Sequence, residues 1–172
     1  AYADLAEMSV RIAAAAAETG LGLTHLPVLY ERGGCDGRAL TAGQLRFGND
    51  PERFAQLWQA AAKVLASLPA DTVLGVAPHS LRAASPSALR MAEALAPNAP
   101  IHIHVAEQVA EVTEVLGATG ARPVQWLLEN HSLSSRWCLI HATQMEPFET
   151  EAMAKSGAIA GLCPITEANL GD

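Results

Sequence analysis

The run Ile101-His102-Ile103-His104-Val105-Ala106-Glu107 places two histidines two residues apart on an apolar segment and a carboxylate three residues after the second. Side chains of the same parity share one face of a β-strand, so His102 and His104 are expected to point the same way, with Glu107 just past the strand end. Neutral imidazole is a frequent zinc ligand, and a carboxylate that stays off the metal can move protons for a water that the metal activates. The same residues also suit a strand whose histidines are hydrogen-bonded inside a barrel. One HxH pattern does not separate the two readings.

The elements that must position these residues follow from periodicity and caps. Leu5, Met8, Ile12 and Ala16 have helical spacing, and Gly20 closes a helix over residues 5–18. Residues 21–30 read as a strand, and the glycine-rich stretch 33–48 as a long surface loop that could act as a lid. Asp50-Pro51 opens a helix to about residue 67, with Asp50 as N-cap and Pro51 in the first turn; Ser85-Pro86 opens another to about 95. Further strands are expected over 72–78, 100–106, 137–141 and 158–163, with helices over 107–116, 123–130 and 146–156.

Strands alternating with helices, each strand a near-continuous apolar run, imply a parallel sheet of βα units covered on both faces. Polar residues cluster at the C-terminal ends of the strands, at 25–30, 79–82, 102–107, 141–143 and 166–169. That is where a (β/α)8 TIM-type barrel holds its active site. Eight units need about 250 residues, so the α/β expectation is one incomplete barrel domain over residues 1–172, of about five βα units, with the first and last strands missing. Residues 170–172 read as mid-loop, and the first residues as neither a signal peptide nor a natural start.

Composition narrows the function. Half of the residues are hydrophobic, which excludes disorder, and 18 acids against 11 scattered bases give a net charge of −7. Nucleic acid and membrane are therefore not expected partners; a small-molecule substrate is, with a homodimer left open as the assembly. Cys35, Cys138 and Cys163 form no CxxC pair and read as reduced thiols of a cytoplasmic protein. No GxGxxG or P-loop sequence points to a nucleotide site.

Six stretches in order, 26–30 (LPVLY), 77–82 (APHSLR), 102–108 (HIHVAEQ), 122–129 (RPVQWLLE), 139–143 (LIHAT) and 161–172 (GLCPITEANLGD), resemble the amidohydrolase superfamily and, within it, the formimidoylglutamate deiminases of bacterial histidine breakdown. His104 with Glu107 and His141 is a superfamily-wide pattern. The 77–82 and 163–172 stretches are narrower and choose the family.

The resemblance implies a zinc hydrolase acting on a carbon–nitrogen bond of an amidine. His104 matches a metal ligand, Glu107 the general acid/base and His141 a histidine that orients water or polarises the reacting group. His79 and Arg82 match substrate-contact positions, and a guanidinium suits the carboxylates of a glutamate moiety. His102 is expected to be a packed neighbour. The other zinc ligands, an HxH pair and an aspartate, are expected outside the chain. Rival readings are a purine or triazine deaminase or chlorohydrolase of the same superfamily, and a non-catalytic βα scaffold.

Other residues carry plainer expectations. Glu167 and Asn169 either shape the pocket or cap a turn, His25 faces the barrel interior, and His131 is a solvated helix-cap histidine. Met8, Met91 and Met153 are core methionines, Glu111 and Glu114 form a solvated helix face, and Trp58, Trp126 and Trp137 pack between helices and barrel wall.

Overall fold

Two Asx/Ser-Pro pairs set helix starts as expected. The Asp50 side chain accepts the Arg53 N–H at 2.7 Å, Ser85 Oγ accepts the Ala88 N–H at 3.2 Å, and each helix has its proline in the first turn. The computed structural model describes residues 3–171. In order these form α1 (Glu7–Thr19), β1 (Thr24–His25), β2 (Val28–Leu29), α2 (Pro51–Leu65), β3 (Val73–Leu74), β4 (Ala77–Pro78), α3 (Pro86–Leu95), β5 (Ile101–Val105) and α4 (Val109–Thr119). The order continues with α5 (Pro123–Asn130), β6 (Trp137–His141), α6 (Pro147–Ser156), β7 (Ile159–Gly161) and α7 (Pro164–Leu170).

β1 pairs with β3 and β2 with β4, both in parallel. Between these short pieces the Gly75 and Ala77 N–H groups donate to His25 and Pro27 carbonyls, each at 2.9 Å, so the ladder runs on and the four pieces act as two strands. β5 joins them through the Val76 N–H to the Pro100 carbonyl and the His102 N–H to the Val76 carbonyl, both 3.0 Å. Pro78 has no N–H to donate, and beyond it the ladder slips by one residue, so that the His104 N–H reaches the His79 carbonyl at 3.0 Å. β5 then pairs in parallel with β6 and β6 with β7. The expected five parallel strands are present among the described residues, with helices between them.

Parity divides the work along each strand. In β5, Ile101, Ile103 and Val105 are buried while His102 and His104 are half-buried; in β6, Trp137, Leu139 and His141 are buried. The buried β5 and β6 side chains join Leu29, Phe54, Val76, Leu89, Leu127 and Met153 in one core between sheet and helices. Trp58 and Trp126 pack against that core, and Trp58 Nε1 donates to the Gly75 carbonyl at 3.1 Å.

Several expectations are corrected. Met8 is half exposed rather than core. His131 is not a solvated cap: its side chain is buried, bonded through Nδ1 to Glu93 at 2.8 Å and packed between Trp126 and Trp137. α4 starts two residues later than expected because Gln108 is extended (φ −124°, ψ 151°) and serves as the N-cap, so the helix begins at Val109. Residues 164–170 form a helix with Pro164 in its first turn, so Glu167 to Asn169, expected in a loop or turn, and Leu170, expected in mid-loop, are helical. Ala1, Tyr2 and Asp172, which the sequence reading included, lie outside the described residues. No helix among the described residues is long and apolar enough to cross a membrane.

Replacing Asp50 by Ala leaves the Arg53 N–H without its partner and is expected to cost about 1 kcal/mol of stability, read as a lower denaturation midpoint. Asp50→Ser is expected to recover most of it.

Candidate functional site

The strand ends bring His79, His104 and His141 into one row. Ring centroids of His79 and His104 lie 4.8 Å apart, those of His104 and His141 5.6 Å apart, and Tyr30 meets His79 edge-on at 4.6 Å. His104 Nδ1 lies 2.9 Å from the His79 backbone carbonyl. A carbonyl only accepts, so Nδ1 carries the hydrogen and the neutral ring presents the Nε2 lone pair. A histidine fixed in this way through one nitrogen is set up to hold a metal with the other. His104 therefore fits a zinc ion.

His141 sits between two carboxylates. Its Nε2 is 3.4 Å from Glu107 Oε1 and its Nδ1 is 3.1 Å from Glu167 Oε1, which also accepts the Cys163 N–H at 2.8 Å. His141, Cys163 and Glu167 place one donor atom each within 4.8 Å of one another. Glu167 is already the acceptor for both neighbours, which makes it a hydrogen-bonding hub that holds His141 and the first turn of α7. Glu167 thus caps the start of α7 and at the same time bonds a rim histidine.

The rim backbone is strained at three residues. Ala106, His141 and Ala142 have φ of 51°, 71° and 50°, a conformation that costs L-residues about 1–2 kcal/mol each. Hydrogen bonds hold it there: the Ala142 N–H donates to the Val105 carbonyl at 3.0 Å and the Gln144 N–H to the Ala106 carbonyl at 2.8 Å.

His79 and Arg82 lie on the loop after β4. Burial, with His104 and Arg82 adding to it, pushes the His79 imidazole down to about 4, so the ring is neutral at pH 7. His79 Nδ1 lies 3.2 Å from Ser80 Oγ. The Arg82 side chain is about one-third exposed, with Nη2 4.0 Å from Glu111 and a buried Nε that has no hydrogen-bond partner. Both residues line a small polar cleft with Tyr30, Arg32, Arg38 and Glu114. His102 is half-buried beside His104; burial first, then His104, lowers its pKa.

Glu111 and Glu114 were missed as a solvated face. Glu111 is 1% exposed and accepts the Ala106 and Glu107 N–H groups, both at 3.1 Å. Burial raises its pKa, opposed by Arg82 and by those two N–H groups. Glu114 accepts the Cys35 N–H at 2.9 Å and pairs with Arg38 at 3.2 Å, fastening the 33–48 loop to α4. The signal for Glu111 was its place at the third helical position, where a glutamate turns back over the helix start. Nothing local marks Glu114, because its partner lies in a distant loop.

A cavity of about 540 Å³ opens beside this row, lined in part by Met8, Ser9, His25, Tyr30, Phe47 and His79. His25 is buried, but its Nε2 lies 2.9 Å from Ser9 Oγ, so it packs on helix α1 and ties β1 to it rather than facing the barrel interior as expected.

No family model matches the chain. It is 49% identical, over 99% of its length and 38% of the relative's, to the formimidoylglutamate deiminase of Pseudomonas aeruginosa. A crystal structure of an amidohydrolase from Brucella melitensis superposes with a TM-score of 0.96 at 58% identity, covering 99% of this chain and 38% of that one. An adenosine deaminase from Xanthomonas campestris with bound zinc superposes at 0.79 with 19% identity, covering 95% and 35%, and so shares the fold. The resemblance to formimidoylglutamate deiminases is thus found along the whole chain. The structural neighbours are amidohydrolase-superfamily barrel enzymes, and this chain carries a segment of that barrel, spanning about two-fifths of the relatives' length.

Burial lowers the His25 pKa below its ordinary value. The unfolded chain therefore binds the proton more readily, so stability is complete above the unfolded value near 6.5 and falls as the pH drops below it. Denaturation midpoints measured from pH 7 to 5 are expected to fall less steeply in His25→Gln than in the parent.

Proposed function

We propose that this chain contributes the central rim of an enzyme that hydrolyses N-formimidoyl-L-glutamate to N-formyl-L-glutamate and ammonia, a step of histidine degradation in the cytoplasm. The observation that supports it is the convergence of His79, Arg82, His104, Glu107 and His141 on one rim, in a chain so similar to a formimidoylglutamate deiminase. The partner in this reading is a small molecule bearing two carboxylates.

His104 Nε2 would hold zinc together with ligands supplied from outside this chain, since a catalytic zinc takes at least three protein ligands. Bound there, zinc supplies the Lewis acidity that makes a water acidic near neutral pH. Glu107 takes the proton of the water that attacks the formimino carbon. It delivers that proton to the imino nitrogen, and then passes the proton of the new hydroxyl to the same nitrogen as the carbon–nitrogen bond breaks, so ammonia leaves with both water protons and the carbon becomes the formyl carbonyl. A positioned acid/base of this kind is worth about 10²- to 10⁴-fold in rate.

His141, fixed through Nδ1 by Glu167, presents Nε2 to Glu107 and to the oxygen that gains charge in the tetrahedral intermediate. Arg82 pairs with a substrate carboxylate in bidentate fashion, and neutral His79 lies beside it as a hydrogen-bonding wall.

In the full-length protein, Glu107→Gln is expected to lower kcat about 10²- to 10⁴-fold while zinc stays bound by metal analysis. Turnover close to the parent's would remove Glu107 from the mechanism. A chelator is expected to abolish ammonia release from formimidoylglutamate, and zinc to restore it. Ammonia release from adenosine or guanine but none from formimidoylglutamate would replace this reading with that of a purine deaminase.

A further inference from the structure

Glu111 is among the largest fully buried side chains of the molecule, yet it is a carboxylate and belongs to none of the steps above. It lies in the first turn of α4, and helical side chains lean toward the N-terminus, so it reaches back over the turn that joins β5 to α4. Its two oxygens divide that turn: Oε1 accepts the Ala106 N–H and Oε2 the Glu107 N–H, each at 3.1 Å. Ala106 is one of the left-handed residues of the rim, and Glu107 carries the acid/base carboxylate. Oε2 also lies 4.0 Å from Nη2 of Arg82, on a different loop. One buried anion thus meets the backbone of the proton-moving residue and the head of the carboxylate-pairing residue.

A cap whose only work was to begin the helix would meet the same need with a short polar side chain at position 108. Gln108, the residue before the helix, makes no side-chain cap. Glu111 reaches past it to the two amides that fix where Glu107 leaves the strand, and its charge is balanced by Arg82.

We propose that Glu111 is a positioning residue, whose buried carboxylate clamps the strained Ala106-Glu107 turn and the Arg82 guanidinium together, so that the proton-moving and the substrate-pairing groups share one rigid anchor. This rests on the roles assigned to Glu107 and Arg82 above. Glu111→Gln keeps the shape and one acceptor oxygen but removes the charge and turns an amide nitrogen toward a donor.

The test uses E111Q in the full-length zinc enzyme, with kcat, KM, bound zinc and hydrogen exchange of the peptide containing Ala106 and Glu107 measured together. The expected result is a kcat lower by about ten-fold or more, as the turn loosens, a KM raised about three-fold or more, as Arg82 loses its anchor, unchanged zinc and exchange about ten-fold faster in that peptide. A kcat within two-fold of the parent overturns the proposal, as does a kcat loss that only follows the loss of zinc or of folded protein. Should E111Q fail to fold, E111Q combined with A106G, which relieves the left-handed strain, is expected to fold and to stay slow; full activity in that variant also overturns it. If the parent enzyme leaves formimidoylglutamate untouched, the functional reading fails. The exchange measurement still decides whether Glu111 holds the turn, and unchanged exchange refutes the clamp.

Discussion

Where a parallel strand ends, its next amide groups lose their ladder partners, and in this protein glutamate carboxylates from the following helices take them over. Glu111 accepts from Ala106 and Glu107 after β5, Glu149 from Glu146 after β6 and also from Gln125 in the preceding helix α5, and Glu167 from Cys163 after β7. Each glutamate sits in the first turn or so of the following helix and folds back toward the strand. Leaving such amides unpaired in a buried turn would cost about 1–3 kcal/mol apiece, so these carboxylates set the path of the rim.

The arrangement also explains how buried anions are tolerated. Glu149 is fully buried but is met by Arg122 Nε at 2.7 Å and by two backbone N–H groups. Glu111 is met by Arg82 and two N–H groups; Glu167, which keeps some exposure, bonds His141 and one N–H. A buried charge persists when hydrogen bonds and a counter-charge replace its water. The counter-charges here belong to neighbouring βα units: Arg82 follows β4 and Arg122 precedes α5. The carboxylates therefore staple adjacent units to one another as well as capping their own helices.

The sequence made the strands and most helix starts legible because their signals are local. Asp50-Pro51 and Ser85-Pro86 act within one turn, and β5 and β6 are apolar runs that pair over five residues. The row of His79, His104 and His141 followed from asking which polar residues sit at strand ends. What stayed hidden depends on partners far along the chain. Glu111 and Glu114 look like any acidic helix face until Arg82, Arg38 and the 33–48 loop are brought against them. His131 looks like a solvated cap until Glu93 and two tryptophans close over it. The left-handed turns at Ala106 and His141 had no glycine to announce them, since hydrogen bonds rather than residue type hold them in place.

The split between the two faces of β5 and β6 decides which substitutions touch chemistry and which touch folding. In β5, Ile101, Ile103 and Val105 fill the core while His102 and His104 face the other way, so a one-residue slip would bury imidazole and expose isoleucine. β6 breaks this pattern at its last residue: His141 has the parity of the buried Trp137 and Leu139 yet must reach the rim. Its positive φ redirects the chain there, and Glu107 and Glu167 hold the ring from both sides. The strain at His141 is thus the means by which a residue of core parity is turned toward the rim, and Glu167, which also accepts the Cys163 N–H, helps to keep it in place.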